Sequence, residues 1–207
     1  MQTSEEPKKL SAQEVLARFR RKEIIDAAYA LARQDGFSRV TMERVAEQGG
    51  VAKGTIYTYF KDKADLIQVM VVEIGNEVLE AAKEAAKSKG TAKERLLNYA
   101  KTLEGFAQEH YELFRYVHEP NDSWSKGYPC DAEGQREQSE MFISLGAGII
   151  EDGIRDGELR KVDPTTVSFF FLSSLHDLLL REILAPGIEI HSEVEYLVDI
   201  YLNGIKG

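Results

Sequence analysis

The stretch TMERVAEQGGVAKGTIYTYFKDKADL, residues 41–66, decides the fold. It holds two short segments of helical spacing, separated by a glycine-containing turn. Thr41 provides an N-cap for the first segment, and the second, about Lys53 to Phe60, places Ile56 and Phe60 on one face. Two short helices joined in this way form the unit that lays a helix in the major groove of DNA. The spacing alone fits a helical hairpin without a DNA-binding role equally well.

The second of these helices must anchor inward while it presents small or polar groups outward. Gly54 removes a side chain near the helix start, so the backbone can approach DNA closely. Lysine, threonine and tyrosine all donate hydrogen bonds to phosphate, and a threonine methyl can contact a thymine methyl. Tyr57 and Tyr59 could instead be partly buried, and Lys63 could simply be solvated. The candidate DNA contacts are Thr41, Lys53, Gly54, Thr55, Tyr57, Thr58, Tyr59 and Lys63.

These segments, together with the preceding RKEIIDAA at 21–28 and the Gly36-Phe37 pair, resemble the signature of the TetR family of transcription regulators. The resemblance covers about residues 18–70 without a break. It implies an all-helical homodimer whose recognition helices enter successive major grooves of a roughly palindromic double-stranded operator. Carried over by position, it makes Lys53, Gly54, Thr55, Tyr57, Thr58 and Tyr59 recognition-helix contacts, and Thr41 and Lys63 contacts to backbone phosphates.

One position departs from the family's pattern. Ala52 stands at the start of the recognition helix, where the family often has serine. An alanine has no side-chain oxygen with which to cap a helix, and the usual cost is about 1 kcal/mol. We therefore expect a weakened cap in an otherwise matching motif.

A basic cluster precedes the first apolar helix face, at Arg18, Arg20, Arg21 and Lys22. Such a cluster can track phosphates or reach into an adjacent minor groove. A solvated helix face is an equally good interpretation of these residues.

Helical periodicity dominates the rest of the chain, and no segment has a convincing period of two. Starts are marked by Asp62, by capping boxes at Thr91/Glu94 and Ser192/Glu195, and by Asp163-Pro164; stops are marked by Gly36, Gly157 and Pro186-Gly187. The prediction is an all-α protein of about nine helices. An N-terminal arm with the start of the first helix would occupy 1–17, a three-helix helix-turn-helix domain 18–66, and a helical-bundle domain for effector binding and dimerisation 67–207.

The charge is distributed unevenly over this chain of net charge −9. Residues 1–68 carry 12 Lys/Arg and 10 Asp/Glu, whereas residues 69–207 carry 14 and 25. An acidic body with a locally basic end would orient the protein on DNA, because phosphate attracts only that end. Uneven surface charge without functional meaning is the alternative.

The composition also indicates the cellular location that we expect for the protein. The single cysteine, Cys130, excludes an internal disulfide and cysteine-based zinc sites. No secretory signal opens the chain, and the apolar run Val167 to Leu180 is too short and too polar to span a membrane. We expect a cytoplasmic protein without a metal, a cofactor or a membrane partner.

The run FFFL at 169–172 belongs to a helix that is apolar nearly all round. Such a helix must be buried on more than one side, either in the centre of a monomer or against a second subunit. The family resemblance implies the second arrangement, a homodimer through about 164–185 and 192–204.

The sequence indicates an effector cavity only weakly. His176-Asp177 is the most suggestive pair, because buried polar groups require partners. Side chains of these types are more often ordinary core residues than ligand contacts, and an internal hydrogen bond is the simpler explanation of the pair. The candidates for contacts to an unidentified, lipophilic small molecule are Tyr99, Phe106, Tyr116, His118, Trp124, Phe142, Phe169 and His176.

The function we predict is therefore a sequence-specific transcriptional regulator, a repressor that a small molecule releases from its operator. The alternative is a DNA-binding structural or chromosome-associated protein that senses no small molecule. An enzyme is disfavoured, because the four histidines lack metal-ligand spacing and there is no nucleophile elbow or P-loop. Gly146-Ala147-Gly148 is a lone G-x-G within a helical pattern, a weak signal for a nucleotide site.

Overall fold

The computed structural model describes residues 11–118, 132–184 and 193–205, and these residues form nine α-helices and no β-strand. The all-α prediction is thereby confirmed. A 3-10 turn, Phe37–Arg39, was not foreseen. The helices are α1 Ala12–Asp35, α2 Met42–Gln48, α3 Lys53–Tyr59, α4 Lys63–Ala86, α5 Ala92–Glu109, α6 Tyr111–His118, α7 Ala132–Arg155, α8 Pro164–Leu184 and α9 Glu193–Ile205.

The chain divides into two compact units, the first ending at Ile67 and the second beginning at Gln68. In the first, α1 packs against α2 and α2 packs against α3. The apolar face predicted for α1 is buried, together with the apolar side chains that follow it in the same unit. The buried side chains of this unit include Ile24, Ile25, Ala28, Leu31, Ala32, Phe37, Val40, Met42, Val45, Ala46, Ile56 and Phe60.

The ends of these helices follow the capping signals in the sequence. Gly36 ends α1 with φ 79°, a left-handed conformation that glycine adopts without steric cost, and its N–H donates to the Ala32 carbonyl at 2.8 Å. The Thr41 Oγ1 accepts from the Arg44 N–H at 3.3 Å and caps α2. Before α4, the Asp62 Oδ1 accepts from the Asp65 N–H at 2.9 Å. The three predicted signals are thus confirmed.

The second unit has its core between α5, α7, α8 and α9. The predicted capping box at Thr91 and Glu94 opens α5, and His110 is the C-cap of that helix. Asp163 caps α8 through a 2.7 Å hydrogen bond from the Thr166 N–H to Oδ1. The predicted cap at Ser192 and the predicted stop at Pro186-Gly187 lie outside the described residues.

The G-x-G of the sequence lies inside α7 and serves helix packing. A Cβ on Gly146 would lie 2.4 Å from the Ser168 Oγ, which itself donates to the Ile143 carbonyl at 2.7 Å. Glycine therefore lets α8 approach the α7 backbone closely.

Two features are absent from the described parts of the chain. No helix there is long and apolar enough to cross a membrane. No group of three or more His, Cys, Asp or Glu side chains is placed to hold a metal ion there.

Candidate nucleic-acid interface and effector cavity

Helix α3 is anchored by its own sequence. Ile56 is fully buried, and Phe60, the extended residue that ends the helix, is almost fully buried. The guanidinium of Arg21 lies over the Phe60 ring, 5.6 Å from its centre, a cation–π contact that joins α1 to this anchor. The opposite face of α3 is consequently fixed toward solvent.

The predicted DNA contacts divide by exposure. Thr41, Lys53, Gly54, Tyr57 and Thr58 are exposed, whereas Thr55, Tyr59 and Lys63 are partly buried. The structure thus brings the exposed side chains of α3 to one surface, beside the N-terminus of α2. The sequence could not distinguish the partly buried Thr55 and Tyr59 from the exposed residues of α3, because the burial of these two side chains depends on tertiary packing.

Besides the Thr41 hydroxyl, which caps α2, two more of these exposed side chains have partners within the unit. The Lys53 ammonium forms an ion pair with Glu43 of α2, which raises the pKa of Lys53 and lowers the pKa of Glu43. The Thr58 Oγ1 donates to the Gly54 carbonyl at 3.2 Å, so this hydroxyl retains acceptor capacity toward solvent. A phosphate contact by Lys53 would have to compete with Glu43.

The side chain of Lys63 is partly buried, whereas the sequence suggests that it is solvated or contacts a phosphate. Its Nζ donates to the carbonyls of Phe37, at 2.7 Å, and Ser38, at 3.3 Å, in the 3-10 turn between α1 and α2. Partial burial lowers the pKa of Lys63 below its usual range. The lysine therefore clamps the start of α4 to that turn.

The basic cluster on α1 is largely engaged as well. Arg20 pairs with Glu23 at 2.8 Å, Lys22 lies 3.7 Å from Asp26, and Arg21 covers Phe60. A phosphate contact by any of these three side chains would have to compete with the contact that it already makes.

The second unit contains a cavity of about 670 Å³, lined mainly by apolar side chains. This is within the usual range of small-molecule sites, roughly 300–1,000 Å³. The α4 contribution is a helical stripe of Val71, Ile74, Gly75 and Val78, and other walls come from α5, α6, α7 and α8.

Four of the eight predicted pocket residues line this cavity: Phe106, Phe142, Phe169 and His176. Tyr99 belongs to the core, where its hydroxyl donates to the Phe142 carbonyl at 2.9 Å, and burial raises the pKa of its phenol. Tyr116 is partly buried and is not part of the lining. His118 ends α6 but its side chain, like all of Trp124, lies outside the described residues.

The expectation that His176 and Asp177 form a buried polar pair was wrong. Their side chains are 48% and 85% exposed, and the Nδ1 to Oδ1 distance of 3.8 Å is too long for a hydrogen bond. The two side chains therefore lie on an exposed part of α8 rather than in the interior of the second unit.

The comparisons with known proteins agree on one assignment. Residues 24–70 match the family described as bacterial regulatory proteins, tetR family. The fatty acid metabolism regulator protein of Bacillus subtilis is 31% identical over 189 residues, which span 80% of this chain and 94% of the relative. The chain belongs to the TetR family.

A second TetR-family relative and a solved structure extend this result. The regulator TtgR of Pseudomonas putida is 24% identical over 90% of this chain and 91% of its own. The crystal structure of the transcriptional regulator FadR from Bacillus subtilis, in complex with stearoyl-CoA, covers 89% of this chain and 98% of its own, with a TM-score of 0.69 at 22% identity. This TetR-family chain is thus a DNA-binding transcriptional regulator with the N-terminal helix-turn-helix and C-terminal helical domain expected from its sequence.

The recognition helix of this TetR-family protein begins with an incomplete cap. Ala52 is the N-cap of α3 in extended conformation, with no side-chain hydrogen bond. We expect Ala52→Ser to raise the free energy of unfolding by about 0.5–1 kcal/mol, because a serine oxygen would accept from a free N–H of the first turn. Urea unfolding of both proteins measures the difference. Ala52→Val is the control and should bring no gain; a clear loss of stability with serine would contradict the assigned cap.

Removal of the Lys63 ammonium should loosen the first unit. We expect Lys63→Met to lower the free energy of unfolding by about 1–2 kcal/mol, because two charge-assisted hydrogen bonds to Phe37 and Ser38 are lost. Hydrogen exchange of the 37–41 amides should accelerate, whereas the exposed Lys61→Met should leave both quantities unchanged. Unaltered stability would contradict the clamp.

Proposed function

We propose that this protein is a repressor that binds a roughly palindromic operator as a homodimer and is released by a lipophilic small molecule bound in the cavity of the second unit. The observation that carries the proposal is that α4 serves both units. Its first turn bears the Lys63 clamp on the helix-turn-helix, and its stripe of Val71, Ile74, Gly75 and Val78 lines the cavity. A ligand that displaces α4 can therefore alter the separation of two recognition helices and lower operator affinity.

The DNA-contact set proposed is the one predicted from the sequence, on the domain 18–66. Lys53, Gly54, Thr55, Tyr57, Thr58 and Tyr59 would face bases and phosphates from α3, with Thr41 and Lys63 on the phosphate backbone. For Lys63 this requires its Nζ to reach phosphate while it holds the 3-10 turn. The salt dependence of operator binding tests this contact. If Lys63 contacts a phosphate, the slope of log K against log salt should become less negative by about one in Lys63→Met.

The dimer interface proposed follows α8 and α9, residues 164–185 and 192–204. Among the described side chains of these helices, four large apolar ones are exposed in the single chain: Phe169 at 51%, Phe170 at 56%, Tyr196 at 66% and Ile200 at 49%. The rings of Phe169 and Phe170 lie 5.6 Å apart, and clustered exposed apolar side chains are typical of an interaction site. A two-fold axis would bury the same patch of both subunits.

The effector class proposed is a long-chain acyl compound, with acyl-coenzyme A the first candidate. The cavity is apolar and of ligand size. One relative is a fatty acid metabolism regulator, and one structural neighbour was solved with stearoyl-CoA. The cavity also supports the sensing function over a purely structural DNA-binding role, for which a filled second unit would suffice. An enzymatic role has no support from these relatives.

The test combines ligand binding with operator binding. Duplexes from the DNA flanking the coding region are titrated with the protein, with and without stearoyl-CoA, and free coenzyme A serves as the control. We expect stearoyl-CoA alone to raise the melting temperature, since a ligand bound only to the folded state stabilises it, and to weaken operator binding. Operator affinity that stays equal at saturating stearoyl-CoA would overturn release by this effector class.

A further inference from the structure

Helix α4 carries a glycine where the cavity wall is formed. Gly75 lies near the middle of this 24-residue helix, and it lines the cavity. A glycine in a helix interior costs about 1 kcal/mol relative to alanine, so its presence calls for a local reason. The reason is the close approach of one side chain.

The amide of Gln138, from α7, lies directly on the α4 backbone at Gly75. A Cβ added to Gly75 would lie 2.3 Å from Nε2, 2.6 Å from Oε1 and 2.8 Å from Cδ of Gln138. A Cβ atom does not make non-bonded contacts this short, so any side chain at position 75 must displace the amide. Since the amide is the end of a flexible side chain, it can move without unfolding the helix pair.

Gln138 is also a polar group in an apolar wall. It lines the cavity beside Phe142 and Ile143, is partly buried, and makes no hydrogen bond to any other residue of the described chain. A glutamine amide has two N–H donors and an acceptor oxygen. A ligand in this cavity would therefore meet a neutral hydrogen-bonding group whose donors and acceptor no other described residue uses.

We propose that Gln138, seated on Gly75, is the residue that recognises the acyl carbonyl of the effector, by donating a hydrogen bond from Nε2 to the carbonyl oxygen. The proposal rests on the proposed function and deepens it, because it assigns one residue of the cavity to the acyl carbonyl of the proposed long-chain effector. The apolar walls hold the chain and contribute affinity without selecting its polar end. Gln138 adds the selection for a carbonyl, and Gly75 leaves room for the amide.

The test uses a matched pair of ligands on the full-length protein: stearoyl-CoA and S-octadecyl-CoA, its thioether analogue without the carbonyl oxygen. Isothermal calorimetry gives both dissociation constants. Wild type should bind stearoyl-CoA about tenfold more tightly, the value of one net hydrogen bond. Gln138→Leu, which keeps the volume and loses the donors, should bind the two ligands equally, with its affinity for the thioether unchanged.

A second variant separates recognition from general damage. Gly75→Ala should displace the amide and reduce the preference for stearoyl-CoA as Gln138→Leu does. The matched control is Gly105→Ala in α5, another helical glycine, at which an added Cβ meets nothing within 4 Å. It should gain helix stability without any change in ligand preference.

Each outcome of the binding experiment supports or overturns the role proposed for Gln138. A preference for stearoyl-CoA that is lost in Gln138→Leu and Gly75→Ala but kept in Gly105→Ala supports the assignment. Equal binding of both ligands by wild type, or a preference that survives Gln138→Leu, overturns it while the proposed function stands. Binding of neither ligand overturns both, and that result is distinguishable because the thioether then also fails.

Discussion

Replacement of Phe170 by glutamate is expected to turn a dimer into monomers and to lower operator affinity by at least about 100-fold. The side chain of Phe170 is more than half exposed in the single chain, on the α8 surface that we propose as the dimer interface. Two charges buried against each other across a two-fold axis would each lose their hydration without a partner. A monomer then binds one half-site and loses the avidity of a linked pair, which is commonly 100-fold or more.

The fold of the second unit should survive this change. Phe171, the neighbour of Phe170, is fully buried and meets the ring of Tyr201 edge-on at 5.4 Å, and the Tyr201 hydroxyl donates to the Phe170 carbonyl at 2.9 Å. These contacts hold α8 on α9 without the Phe170 side chain. Circular dichroism should therefore show an unchanged helix content.

Analytical ultracentrifugation and fluorescence anisotropy on an operator duplex measure the two effects of Phe170→Glu. Met141→Glu is the matched control, because Met141 is an apolar side chain of α7 with a similar exposure, 48%, outside the proposed interface. It should remain dimeric and bind normally. A Phe170→Glu protein that stays dimeric at micromolar concentration would place the interface elsewhere.

The second large effect is expected at Phe60. Phe60→Ala should lower the free energy of unfolding of the first unit by about 3–5 kcal/mol. Removal of the buried ring leaves a cavity beside Ile56 and also removes the cation–π contact of Arg21. The recognition helix, only seven residues long, depends on this anchor for its orientation. DNA binding should be lost together with hydrogen-exchange protection in α2 and α3.

The contrast with Tyr57→Ala separates folding from DNA contact. Tyr57 is exposed on the opposite face of the same helix, and surface substitutions usually change stability by less than about 0.5 kcal/mol. This variant should keep wild-type exchange protection while its operator affinity falls. Equal protection in Phe60→Ala and Tyr57→Ala would show that Phe60 does not anchor the helix.

The helix-turn-helix could be predicted from the sequence because its signals are local. The cap at Thr41, the left-handed glycine at Gly36 and the Asp62 cap each act within four residues, so they are legible without a fold. The same holds for the anchors Ile56 and Phe60, which share a face by helical spacing.

The cavity could be predicted only in part. Phe106, Phe142, Phe169 and His176 line it, but the sequence offered no reason to choose them over Tyr99, which is packed core. The stripe of Val71, Ile74, Gly75 and Val78 was overlooked, although its helical spacing is legible in the sequence. Helical spacing cannot show that this stripe faces a cavity rather than neighbouring side chains.

What the sequence by itself determined is the order of helices, their caps and the DNA-binding motif, because these depend on residues close together in the chain. Tertiary structure alone decided that Lys63 holds the 3-10 turn, 25 residues earlier, and that Gln138 rests on Gly75, 63 residues away. It likewise decided that His176 is exposed. Such contacts depend on which helix faces approach one another, and many side chains distant in sequence fix that approach together.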